Sequence, residues 1–261
     1  MSIRIALCFA LMMGCAVDED LSETAQDITS TNKLATNKLA TNSLAANTLA
    51  ANKLAAASVA TGTAAAALIN TVDGREVLSY ILSCALSSSQ SVTLKDSTNV
   101  SWTFPGSIGL GSAWLTRALT LDEQRWVTAC VLARTNYFGV TVQLSLRGNN
   151  SQLATTAAER TTYAGLDGGF YGNLFDTTGP KIYACDGWYD NSQRICANQA
   201  TGSGSAYTQC GFTYTGSCYT GSNVACTGQV SGATVTSSCR IANTAGSPTS
   251  AFPQAIMVFL Q

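Results

Sequence analysis

Histidine is absent from all 261 residues, so neither a Ser-His-Asp nor a Cys-His nucleophilic centre can be assembled, and the commonest zinc ligand is missing. What remains for acid–base work is a short set of carboxylates: Asp96, Asp122, Glu123, Glu159, Asp167, Asp176, Asp186 and Asp190. Two carboxylates suffice for glycoside hydrolysis, which needs no histidine. Asp122 and Glu123 fall at a helix start, where negative charge offsets the macrodipole. Asp167 and Asp176 flank Gly168-Gly169-Phe170-Tyr171-Gly172. That run could line a sugar site; a tight turn with its aromatics packed inward is the plainer account. It is not a phosphate cradle, because neither a strand-to-helix switch nor a lysine accompanies it. Between Gly187 and Tyr219 the chain is rich in Trp, Tyr, Asn, Gln and Ser. Exposed aromatics mixed with amides commonly recognise glycans or proteins, although small disulfide domains also use Tyr and Trp as core.

Sulfur is the other reactive element. Cys84, Cys130, Cys185, Cys196, Cys210, Cys218, Cys226 and Cys239 form an even set, and no two are spaced C-x-x-C. Without histidine, a zinc or thioredoxin-like site is not indicated, and structural disulfides are expected, with no metal and no cofactor. Eight cysteines allow about 105 pairings. Helix patterns narrow one of them. Asp73 with Glu76 opens a helix whose inner face carries Val77, Tyr80, Ile81 and Cys84. Thr120 with Glu123 opens a second, with Trp126, Val127, Cys130 and Val131 inward. Both helices turn a cysteine to one interior, which predicts a Cys84–Cys130 bridge.

Strand signals surround these helices. Ser91–Leu94 and Asn99–Phe104 flank a turn, and Val140, Val142, Leu144 and Leu146 alternate as in a half-buried strand. Further strands are expected at Ile182–Cys185, Tyr207–Tyr214, Val224–Gln229, Thr234–Cys239 and Ala255–Leu260. The expected fold is α+β, mostly β: a disulfide-rich globular domain with two core helices over residues 71–261.

Composition sets the environment. Charged residues are only 11 %, less than half the share of about 25 % usual in soluble domains. Surface polarity then comes from Ser, Thr, Asn and Gln, which suits an extracellular protein. Lys and Arg number 14 against 15 acidic residues, and no basic stripe exists to neutralise phosphates, so nucleic acid is not an expected partner.

The chain opens Met1-Ser2-Ile3-Arg4, followed by apolar Ile5 to Met13, the length of a signal-peptide core and too short to span a bilayer. Met12-Met13-Gly14-Cys15 follows, and it resembles the lipobox of bacterial lipoproteins, with Met12 where Leu is usual. The resemblance implies removal of residues 1–14 and acylation of Cys15, and Ala16, in place of a retaining Asp, implies delivery to the outer membrane. The alternative is cleavage after Ala16 and secretion.

After a linker at 15–28, residues 29–70 repeat every five: TNKLA, TNKLA, TNSLA, ANTLA, ANKLA, AASVA. Leu recurs at 34, 39, 44, 49 and 54. In an α-helix such leucines spiral around the axis; in a flat strand they alternate faces. A coil turning a corner every five residues keeps them inside, and the stretch resembles pentapeptide-repeat β-solenoids, with Asn standing where a small residue is usual. A low-complexity tether and a helix are the alternatives.

From Val77 to Phe175 the chain resembles predicted lipoproteins of myxobacteria that join Asn/Leu/Ala repeats to a cysteine-bearing domain. Leu78-Ser79-Tyr80, Ser83-Cys84-Ala85-Leu86 and Phe104-Pro105-Gly106-Ser107-Ile108-Gly109-Leu110 carry the likeness. That group has no known activity, so the resemblance implies address and layout. Two functions are expected from these observations. One is a non-catalytic, lipid-anchored envelope protein, membrane-bound through its N-terminus, with a glycan or protein ligand on the exported side. The other is a secreted carboxylate-dependent hydrolase acting on glycans, with Asp167 or Asp176 in its site.

Overall fold

The computed structural model describes residues 29–31, 34, 35, 38, 39, 49, 54, 63–189, 194, 211–219, 224–227, 238–242 and 248–261. Residues 1–28 with Cys15, most of the repeat, Asp190, Cys196 and Cys210 lie outside them. The fold is α+β, with strands dominating.

Helix α1 (Thr63–Ile69) leads into α2 (Val72–Ala85). The cap of α2 is Thr71, two residues before the expected Asp73. Its extended backbone brings Oγ1 to accept from the Gly74 N–H at 3.0 Å, satisfying one of the helix's orphan donors. Asp73 and Glu76 instead pair with Lys38 from the repeat. Helix α3 (Leu121–Ala133) starts as expected, on a reciprocal Thr120–Glu123 capping box. The inner faces of α2 and α3 are joined by Cys84–Cys130, with the Cα atoms 6.0 Å apart. A one-and-a-half-turn helix α4 (Ala157–Thr162) follows later.

In chain order the strands are β1 (Thr29–Thr31), β2 (Leu34–Ala35), β3 (Ser91–Lys95), β4 (Ser101–Pro105), β5 (Thr135–Asn136), β6 (Gln143–Arg147) and β7 (Gly165–Asn173). They continue as β8 (Lys181–Asp186), β9 (Thr213–Ser217), β10 (Cys226–Thr227), β11 (Ser238–Ala242), β12 (Pro248–Phe252) and β13 (Ile256–Leu260). The main sheet has the order β1-β6-β13-β7-β8-β9, antiparallel except for the β8–β9 pair. Strands β3 and β4 form the expected hairpin; β10, β11 and β12 form a small second sheet. Val140, expected at the head of the alternating strand, lies before β6 in an exposed loop.

The largest departure from expectation is β7. The glycine-rich run read as a turn is the fully buried central strand, hydrogen-bonded to β13 on one side and β8 on the other. Glycine is required here for space: a Cβ on Gly169 would lie 2.8 Å from Cys185 Sγ and 2.9 Å from Met257 Sδ. The aromatics do pack inward, on alternate faces as a strand demands. Phe170 faces the helices and meets Phe212 edge-on, whereas Tyr171 faces the second sheet, against Tyr183 and Phe252.

Helix α3 lies across β7 and β13 with α2 behind it. On the opposite face, Cys185–Cys218 and Cys226–Cys239 close a second buried cluster, with Cys185 Sγ only 3.4 Å from Cys226 Sγ. The described repeat leucines, Leu34, Leu39, Leu49 and Leu54, are all buried in the same core as α2 and α3. Strand β1 pairs with β6, β2 runs parallel to β5, and the Leu54 N–H donates to the Trp114 carbonyl at 2.9 Å.

Candidate functional site

The strand pairings gather one end of the sheet. The N-terminal ends of β6 and β7 lie beside the C-terminal ends of β13, β8 and β9. Most of the large apolar side chains that stay exposed among the described residues collect at that end. Tyr137 is 39 % exposed, Phe138 49 %, Val140 42 %, Trp188 48 % and Tyr219 41 %. The others are Val72, Val100, Trp102 and Leu121. They sit at helix starts and on the β3–β4 hairpin. Trp102 is covered on one face by the Arg75 guanidinium, 4.0 Å from the ring centre.

Each half of this rim is built rigidly. Between β5 and β6, the buried Asn136 closes a turn on itself. Its Oδ1 accepts from the Phe138 N–H at 3.1 Å, its Nδ2 donates to the Val140 carbonyl at 2.9 Å, and its carbonyl accepts from the Gly139 N–H. Gly139 supplies the positive φ, +62°, that the turn needs. Tyr137 and Phe138 meet edge-to-face, with centroids 5.2 Å apart. At the other half, Trp188 follows β8 and Tyr219 follows β9, and their rings meet at 5.1 Å, nearly perpendicular. The Cys185–Cys218 disulfide ties the two strands immediately beneath this pair, and Trp188 rests on Phe259 of β13.

One side chain holds both halves. Arg194 is completely buried; its Nε donates to Asp167 Oδ2 at 2.8 Å, and its two terminal nitrogens donate to the carbonyls of Thr135 and Ala133. Thr135 stands two residues before Tyr137. Asp167 is likewise fully buried, and its carbonyl accepts from the Gly187 N–H, one residue before Trp188. The guanidinium also satisfies the carbonyl of Ala133, at the C-terminal end of α3, where cations are favoured.

The carboxylates are dispersed in separate structural roles. Asp96 accepts from Thr98 and from the Trp102 indole, and these hydrogen bonds, with Thr98 first, hold its pKa at about 2. Asp122 is bound by the Gln254 amide, and Glu123 serves the capping box and Arg117. Glu159 is buried in the first turn of α4. Asp176 pairs with Lys181 at 2.8 Å and accepts from Thr178, which together bring its pKa to about 2. Asp186 accepts from the Tyr214 hydroxyl at 2.8 Å; burial foremost, and then this carboxylate, pushes the Tyr214 pKa up.

Asp167 and Asp176 lie toward opposite ends of β7. Six residues of strand from Asp167 to Asn173 alone span about 20 Å at roughly 3.3 Å per residue. The structure therefore does not bring this pair to the separation of about 5–10 Å that a two-carboxylate glycosidase uses.

Of the sequence-derived candidates, Trp188 and Tyr219 converge, and Cys84, Cys130, Cys185, Cys218, Cys226 and Cys239 are joined as three disulfides. The three sulfurs of Cys185, Cys218 and Cys226 lie within 4.8 Å of one another, but each is covalently committed to a bridge. Sequence reasoning missed Arg194 and the Tyr137–Phe138 turn. An uncharged run with two adjacent aromatics, directly after a helix, was the available signal for the turn. No described helix is long and apolar enough to cross a membrane. Compared with family models, with curated proteins and with solved structures, the chain has no match.

Proposed function

We propose that this chain is an exported cell-envelope protein, held to the outer membrane by acyl chains on Cys15, whose α+β domain is a non-catalytic binding module. Its contact surface is the rim formed by Tyr137, Phe138, Val140, Trp188 and Tyr219. The observation that carries this reading is the convergence of exposed aromatics from two separate loops onto one end of a sheet, with a buried Arg194 and a disulfide fixing both. Isolated apolar side chains on a surface are ordinary, whereas clustered and rigidly presented ones mark an interaction site. The low charge content, the leader with Cys15 and the three disulfides support an oxidising, extracytoplasmic setting. The dispersal of the carboxylates supports binding over hydrolysis.

The test has two arms. Metabolic labelling with a fatty acid should mark the wild-type chain and leave Cys15→Ser unmarked. The purified full chain should bind an envelope component, either a glycan array or lipid vesicles, and lose it in Phe138→Ser and Trp188→Ser without releasing any cleavage product. Binding indifferent to both substitutions, or turnover of the glycan, refutes the module.

A further inference from the structure

We infer that the partner of the aromatic rim is the lipid bilayer surface itself, so that the rim is a second membrane contact acting beside the Cys15 anchor. The inference rests on the binding-module reading above and names its partner.

Four features point to lipid. The first is shape. Tyr219 follows β9, the Trp188 ring lies between it and Phe259 of β13, and the Tyr137–Phe138 turn precedes β6, so the aromatics form a row over up to four strand spacings, roughly 15–20 Å at about 4.8 Å per spacing. A sugar ring needs its aromatics on one spot; a row of this length suits an extended flat surface. The second is chemistry. Residues 135–143, 187–189 and 217–219 contain no charged side chain. Trp and Tyr, with an apolar body and a polar tip, are the residues favoured at a membrane–water interface. The third is rigidity. The Asn136 turn and the Cys185–Cys218 bridge hold the side chains outward before any partner arrives, so little ordering is lost on insertion.

The fourth is where the chain enters. Strand β1 begins at Thr29, opposite Ser145, and ends at Thr31, opposite Gln143, the first residue of β6 and the third after Val140. Fourteen residues from Cys15 to Thr29 reach at most about 50 Å at roughly 3.5 Å each, so an anchor at Cys15 keeps this end of the sheet within reach of the membrane. The acyl chains on Cys15 hold the protein to the bilayer, and the rim adds a second contact that sets how the domain lies on it.

The experiment uses the mature chain, residues 15–261, carrying Cys15→Ser, which lacks both the acyl chains and the apolar leader and so isolates the rim. Flotation with phosphatidylethanolamine/phosphatidylglycerol vesicles should show partition that falls roughly tenfold in Phe138→Ser and again in Trp188→Ser. Lipids brominated near the headgroup end of their acyl chains should quench part of the tryptophan emission, and Trp188→Phe should abolish that part. Unchanged circular dichroism keeps loss of folding out of the readout. No partition by the Cys15→Ser chain, or partition and quenching insensitive to these residues, overturns the inference. Binding to a glycan with the same residue dependence and none to vesicles overturns it while leaving the binding module standing. Binding to neither defeats both. Absence of label on the wild-type chain, with vesicle binding intact, removes the anchor alone.

Discussion

Removing the negative partner of the buried Arg194–Asp167 pair should be among the costliest single changes in this protein. Both side chains are fully buried, so Asp167→Asn leaves the guanidinium with no countercharge in a low-dielectric interior. Breaking such a pair from one side costs about 3–5 kcal/mol. Asp167→Asn keeps the shape and the carbonyl oxygen that accepts from Nε, so about 3 kcal/mol is expected. Arg194→Met removes the charge but also strips the donors from the Ala133 and Thr135 carbonyls, and about 4–5 kcal/mol is expected. The double variant Asp167→Asn/Arg194→Met carries no buried charge and should fall short of the sum by about 2–3 kcal/mol. Against a total of roughly 5–15 kcal/mol for a domain, either single change puts the native state at risk. Urea unfolding under non-reducing conditions, followed by far-ultraviolet circular dichroism and tryptophan emission, measures all three. An Asp167→Asn protein within 1 kcal/mol of wild type, or strict additivity in the double variant, would refute the clamp.

Three other outcomes follow from particular contacts. Cys84→Ser should expose one titratable thiol, at Cys130, and lower stability by roughly 4 kcal/mol in the chain-entropy account; no new thiol would contradict the bridge. Leu54→Ala should cost about 2–5 kcal/mol, because that repeat residue is buried in the main core, whereas a free tether would leave the unfolding curve unmoved. Asp96 has its folded pKa below an unfolded value near 4, so its hydrogen bonds support the β3–β4 turn above about pH 4 and are lost as pH falls through about 2. The Trp102 indole proton, followed by nuclear magnetic resonance, should shift with a midpoint near 2, and a midpoint near 4 would contradict those bonds.

Elements governed by local chemistry were legible in the sequence. Helix α3 announces itself through Thr120 and Glu123, whose reciprocal bonds depend only on neighbours three residues apart. The β3–β4 hairpin and the inward faces carrying Cys84 and Cys130 are equally local patterns. Strand β7 was illegible because its propensity is overruled from outside. Gly168, Gly169 and Gly172 disfavour a strand on their own, and what holds them extended is a ladder on each side, with sulfur atoms occupying the space where a side chain at 169 would stand. Arg194 was illegible for a related reason. Nothing near it in sequence marks it, since its three acceptors lie between 27 and 61 residues away. The rim inherits that difficulty: the Gly187–Tyr219 stretch stands out by composition, but the Tyr137–Phe138 turn alone is unremarked, and only the sheet order puts the two at one end.

The same reasoning explains why sulfur sits where it does. Strands β8 and β9 are the parallel pair of the main sheet, and a parallel pair cannot be closed by a tight turn. The chain leaves β8 at Asp186 and returns at Thr213, so closing that excursion costs loop entropy before the ladder repays any of it. The ladder is irregular there, because the register of this pair shifts between Ala184 and Asp186. Cys185–Cys218 fastens the two strands at that weak point, one residue before Tyr219 and three before Trp188. Cys218→Ser should therefore loosen the Trp188–Tyr219 contact in preference to the helical side of the core, where Cys84–Cys130 stays intact. There the buried faces of α2 and α3 and the repeat leucines pack together without help from this bridge.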